Sequence, residues 1–181
     1  MKKFYFLAFS LLIFLLSFTF SAKAYVVAEN LTASSSSQQQ NNYELPYPGL
    51  LPDSPLYFLR IIRDKTVGFL ISDPLKKAEF DLLQADKRLN AGIFLFNKGK
   101  SSLALSTVSK AENYFTQALG QMEEAKRQGR NTSEINGKLK NALEKHKQEL
   151  GDFVKKAKAD TKASFEYEQK RLMGFEERLN H

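Results

Sequence analysis

The chain commits itself to helices twice with the same device. Ser54-Pro55 and Asp73-Pro74 each place a small capping residue directly before a proline, and the two prolines lie nineteen residues apart. Proline disfavours the α conformation in the residue before it, and a helix N-cap needs that same non-helical backbone. At the first helical position the missing N–H costs nothing. The pattern predicts a short helix from Pro55 to about Ile71 and a long one from Pro74 to about Asn97.

Downstream of Pro74 the apolar residues are periodic. Leu75, Ala78, Leu82, Ala85, Leu89, Gly92 and Phe96 recur at alternating three- and four-residue steps, the seam of a bundle helix. Gly99 provides a stop, with Lys98 and Lys100 suited to the negative end of the helix dipole. Ser101 or Ser102 is the expected cap of a third helix ending near Gly129, with the stripe Ala104, Val108, Ala111, Phe115, Ala118, Met122 and Ala125. A turn at Gln128–Asn131 leads to a fourth, capped by Asn131 or Ser133, with Ile135, Leu139, Ala142, His146, Leu150, Phe153 and Ala157 inward.

Short turns between long helices imply antiparallel neighbours. The expected fold is therefore all-α: an up-down antiparallel bundle of three long helices plus a short N-terminal helix, over residues 48–157. The first helix, with Leu56, Leu59, Ile62 and Phe69 among its apolar positions, is expected to dock on a second face of its neighbour made by Phe80, Leu83 and Phe94. Past Ala157 the pattern thins and resumes weakly with Phe165, Leu172, Phe175 and Leu179, which predicts an extended helical tail over 158–181.

The first 24 residues are a separate element. Lys2 and Lys3 precede an apolar run from Phe4 to Phe20, and Ala22-Lys23-Ala24 has the form of a small-x-small cleavage site. This is the layout of a secretory signal, and it puts the mature N-terminus at Tyr25. The run is close enough to the roughly 20 residues of a spanning helix that an uncleaved anchor stays open. Residues 25–47 then turn polar, with Ser34–Ser37, Gln38–Gln40, Asn41 and Asn42 in series. Such a segment has too little apolar surface to offset the entropy of ordering it, so a disordered tether is expected. The chain contains no cysteine, which excludes disulfides, thiolate metal sites and lipid attachment through a thiol.

Removing the leader takes away Lys2, Lys3 and Lys23 and no acid, so the formal charge falls from +7 to +4. Lys76, Lys77, Lys87 and Arg88 alternate with Glu79, Asp81 and Asp86. That reads as a solvated face, not the concentrated basic stripe of a nucleic-acid binder.

Searches for chemistry return little. Gly99-Lys100-Ser101 echoes the end of a phosphate-binding loop, but Phe94 stands where its first glycine belongs, and a helix precedes it instead of a strand. His146, the one histidine inside the fold, lies on an apolar stripe and is expected to be partly buried against a hydrogen-bonding neighbour. No zinc, calcium or nucleophile-elbow motif occurs. The acid pairs Asp81/Asp86 and Glu123/Glu124 are expected on solvated faces, with no pocket to separate their acidities.

The run Leu51-Pro52-Asp53-Ser54-Pro55-Leu56-Tyr57, then Asp73-Pro74-Leu75-Lys76-Lys77-Ala78-Glu79, Arg88-Leu89 and Lys98-Gly99-Lys100, resembles a bacterial family classed as a domain of unknown function. The likeness covers roughly Tyr47 to Gly129. It implies an exported or membrane-tethered helical protein and supplies no catalytic residues.

The resulting expectation is an exported, extracytoplasmic, non-enzymatic association or scaffold module at the cell envelope, without metal or cofactor. Its partner would be a protein, an envelope component or a second copy, met through Phe165, Leu172, Phe175 and Leu179 of the tail. The alternatives are a sensor or regulatory domain tethered by an uncleaved N-terminal helix, or a hydrolase with its site in the bundle.

Overall fold

The computed structural model describes residues 43–180, which form five helices and no strand. They are α1 (Tyr57–Leu70), α2 (Pro74–Asn97), α3 (Ser101–Arg127), α4 (Ser133–Lys156) and α5 (Ala159–Asn180). The expected signal segment and residues 25–42 of the expected tether lie outside the described residues.

The two proline signals behave differently. Asp73 caps α2 as expected: its side chain accepts from the Lys76 N–H at 3.0 Å and Pro74 opens the helix. Ser54-Pro55 instead forms a turn, and α1 begins at Tyr57 without a side-chain cap. The serine and asparagine caps expected later are also absent as such. Residues Lys100 and Thr132 hold the N-cap positions of α3 and α4, while Asn131 accepts from the Ser133 N–H at 2.9 Å. Helices α2 and α3 both stop at a glycine with positive φ, Gly99 at 74° and Gly129 at 71°. Around each, the next residue's N–H reaches back to Leu95 or Ala125, closing the helix end in the left-handed form that glycine adopts most easily.

The bundle contains four long helices, one more than the sequence predicts. Residues 158–180 are not a tail. Ala157 takes an extended backbone (φ −67°, ψ 144°), the chain reverses, and α5 packs back antiparallel to α4 and beside α3. In cross-section the order is α2, α3, α5, α4, so the sequential pair α3 and α4 meet only across the diagonal. Side-chain contacts fix the directions. Glu79–Lys138 joins the N-terminal ends of α2 and α4, and Glu123–Arg178 joins the C-terminal ends of α3 and α5.

Packing explains which pairs are tightest. Ala78, Ala85 and Gly92 on α2, and Ala104, Ala111, Ala118 and Ala125 on α3, recur every seven residues and are all buried. Small side chains let two antiparallel helices approach closely. A Cβ added to Gly92 would sit 2.5 Å from the Val108 side chain. The larger residues fill the far side: Phe96, Phe153 and Phe165 form one aromatic group, and Phe115 stacks on Phe175 at 5.2 Å. The core extends from Ala78 to Leu179, with Tyr43 and Leu45 packed against it.

Tyr43–Tyr47, the last part of the expected tether, belongs to the fold. The Tyr43 hydroxyl donates to Asp86 at 2.5 Å, and the Asn90 amide donates to the Pro46 carbonyl at 2.9 Å. This strap continues along α2 until Asp53 meets Lys98 and Lys100 near the end of that helix. Helix α1 then returns along α2 in the opposite direction.

Candidate functional site

The residues that the sequence singled out for partner contact are in the wrong place for it. Phe165, Leu172, Phe175 and Leu179 are all buried in the core. Their weak periodicity is the inner face of α5, spaced sparsely because α5 covers only one side of the bundle.

Helix α1 is turned inside out. Its inner side presents Arg60, Asp64 and Gly68 to α2. The receiving face on α2 is Lys77, Asp81, Gln84 and Arg88, one residue per turn, in place of the expected Phe80, Leu83 and Phe94. Leu83 and Phe94 stay exposed. Phe80 meets α1, where its ring and the Lys77 ammonium crowd Gly68 so closely that an added Cβ would lie 3.0 Å or less from each.

This interface is ionic. The Asp64 carboxylate faces three guanidinium groups: Arg63 at 2.8 Å, Arg60 at 3.5 Å and Arg88 at 3.8 Å. Arg60 also donates to the carbonyls of Pro48 and Leu50, which ties the strap to α1. Arg88 lies over the Tyr114 ring of α3 at 4.1 Å and donates to the Gln84 side chain at 2.7 Å. Lys77 donates to the Gly68 carbonyl at 2.8 Å and stands 3.7 Å from Asp81. Asp81 is buried with neither carboxylate oxygen hydrogen-bonded, and that burial raises its pKa against the pull of Lys77. The acids and bases expected on a solvated face, namely Asp81, Asp86 and Arg88, are thus interior groups. Glu123 and Glu124 remain partly accessible and pair with Arg178 and Arg127.

Because Arg60 and Asp64 point inward, the apolar side of α1 faces outward. Leu56, Phe58, Leu59, Ile62, Val67, Phe69 and Leu70 are all exposed, Phe69 at 87 % and Leu70 at 72 %. An isolated exposed leucine is ordinary, whereas several large apolar side chains exposed on one helix are not.

A second buried cluster lies inside the bundle. His146 is fully buried, with Nδ1 2.9 Å from Glu112 and Nε2 3.1 Å from Asp86, and its ring edge meets Phe115. The sequence expected a partly buried histidine with one neighbour; the fold gives it two carboxylates from two helices. Burial alone would push the imidazole down, but the Glu112 charge and the hydrogen bonds it donates to both acids carry it up to about 9. It is therefore an imidazolium at neutral pH, donating from both nitrogens. Burial, then Asp86, raises the Tyr43 hydroxyl well above the usual phenol range, so it stays a donor.

The two carboxylates bind opposite ring nitrogens and do not converge on a point, as metal ligands must. Among the described residues, no group of three or more His, Asp and Glu side chains is arranged to hold a metal ion. A shallow depression outside is lined by Tyr43, Asp86, Glu79 and Lys138 and stops short of the imidazole. No helix among the described residues is long and apolar enough to cross a membrane.

No curated protein and no solved structure matches the chain. A family model matches residues 49–156, which takes in all of α1 to α4. That is more than half of the sequence, and the chain belongs to the family described as Domain of unknown function (DUF5667).

Proposed function

We propose that this protein is an exported association module of the cell envelope, acting by surface contact instead of catalysis, and that its docking surface is the outward face of α1. One observation carries the reading. Helix α1 turns Arg60 and Asp64 toward α2 and leaves its large apolar residues uncovered. A helix that needed only to complete the bundle would bury the apolar side, because that burial is the main source of its stability. The amino-terminal Lys2-Lys3, the apolar Phe4–Phe20 run and Ala22-Lys23-Ala24 support export. The acid–base group His146, whose proton affinity is strongly shifted, is walled in by Glu112, Asp86 and Phe115, which supports a structural role over turnover.

Photo-crosslinking in intact cells tests this. A crosslinking side chain at Phe69 should form adducts with an envelope component, whereas one at Tyr167, exposed on α5, should not. Equal adducts from both positions, or adducts from Tyr167 alone, would remove α1 from the mechanism. Turnover of a small substrate by the purified chain would overturn the non-enzymatic reading.

A further inference from the structure

Resting on that association reading, we propose that the occupant of the α1 face is an anionic lipid surface, with the apolar side chains entering the acyl boundary and a basic cleft beside them meeting the headgroup phosphates. On a helix turning about 100° per residue, Phe58, Leu59, Ile62, Thr66, Phe69 and Leu70 share one outward sector. Lys65 borders that sector on one side and Arg63 on the other, both exposed. Cations flanking an apolar strip, with long stems that reach back to water, are the arrangement of a helix lying in a membrane interface. The single acid of α1, Asp64, is withdrawn into the interior. Nothing negative on the helix is left to repel an anionic surface.

The cleft is the second observation. Arg60, Arg63 and Lys87 line a depression closed on its far side by Tyr47, Gly49 and Leu50 of the strap. Three guanidinium groups share the single Asp64 carboxylate nearby, and Arg60 Nη2 has no hydrogen-bond partner at all. The positive charge is in excess where the apolar sector ends. A phosphodiester headgroup supplies the missing anion.

Other occupants fit less well. Two copies pairing through α1 would set Arg63 and Lys65 against their like with no acid between them, which costs affinity. Residues 25–42 of the same chain are rich in serine, glutamine and asparagine and offer little apolar cover. The Phe4–Phe20 run, in contrast, brings the chain to a bilayer during export whether it is then cut or kept.

Vesicle flotation of a chain beginning at Tyr25, which retains every residue of the bundle core, decides the matter. It should bind vesicles containing phosphatidylglycerol and bind pure phosphatidylcholine at least about tenfold more weakly, with the anionic binding falling as salt rises. The pair Phe69→Ser with Leu70→Ser, and separately Lys65→Glu, which lies outside the Asp64 contacts, should each lose at least about tenfold in vesicle affinity with melting unchanged. Inorganic phosphate should not compete at matched ionic strength; if it does, and the serine pair binds as well as the parent, the site takes free phosphate and the lipid inference falls. Absent flotation, a self-association in sedimentation that the serine pair abolishes would also overturn it, while the association reading stood. Absence of both, together with no adducts from Phe69 in cells, would overturn the lipid inference and the association reading alike.

Discussion

At the scale of single residues, the fold depends on ionisable groups taken out of water. His146 carries a positive charge between Glu112 and Asp86, and its affinity for a proton is raised in the folded state to about 9 from an ordinary 6.5. A basic group raised by folding contributes stability that is fully present below pH 6.5 and lost as pH rises through about 9. Replacing it by His146→Gln leaves Glu112 facing a weaker donor inside the core, which costs about 3–5 kcal/mol at neutral pH. The melting difference between parent and variant, followed by circular dichroism from about pH 6 to about pH 10, should shrink across that window. A difference that stays constant would mean the imidazole is already neutral. Asp81 works in the opposite sense: burial raises its pKa, so its charged form is a cost at neutral pH. Lys77 keeps a second partner in the Gly68 carbonyl, so Asp81→Asn should hold or raise the melting temperature. A marked fall would show that the Lys77 pair outweighs the burial.

At the scale of helices, α5 is the element whose role changes most between sequence and structure. A chain ending at Asp160 loses Phe165, Leu172, Phe175 and Leu179 together and uncovers Phe115 and Phe153. Each large apolar side chain contributes about 1.5–3 kcal/mol by burial, against a whole-domain stability of about 5–15 kcal/mol. The truncated chain should show no cooperative melting transition; one close to the parent's would return α5 to the status of a tail. The seams of α2, α3 and α4 were legible because each repeats its apolar residues for several turns between clear stops. The reversal at Ala157-Lys158 was not, since it contains neither glycine nor proline, and α5 buries only a narrow strip. The orientation of α1 was illegible for another reason. Arg60, Asp64 and Arg88 alternate with apolar residues in a way that reads identically whether the charges or the leucines face the bundle. Only the three-against-one pairing around Asp64, which the fold assembles from two helices, decides it.

At the scale of the whole molecule, two kinds of cohesion are layered. Helices α2 to α5 share a continuous apolar core, whereas the strap and α1 are held mainly by Arg60, Asp64, Arg88, Asn90 and Tyr43 through polar contacts. Apolar burial is cooperative across four helices, but a polar latch can open without disturbing what lies beneath it. The exposed side chains proposed to meet a lipid surface also deprive α1 of a share in the core, so that proposal and the marginal attachment of α1 rest on one feature. Arg88 is the group that bridges the layers, reaching Asp64 on α1 and Tyr114 on α3. In native-state hydrogen exchange, amides of α1 should therefore open at a lower free energy than those of α4. Arg88→Ala should speed exchange in α1 by at least about tenfold, since breaking a buried ion pair costs several kcal/mol, and should change α4 far less. If α1 and α4 exchanged at one common rate in the parent, the strap and α1 would be part of the same cooperative unit, and the latch would not exist.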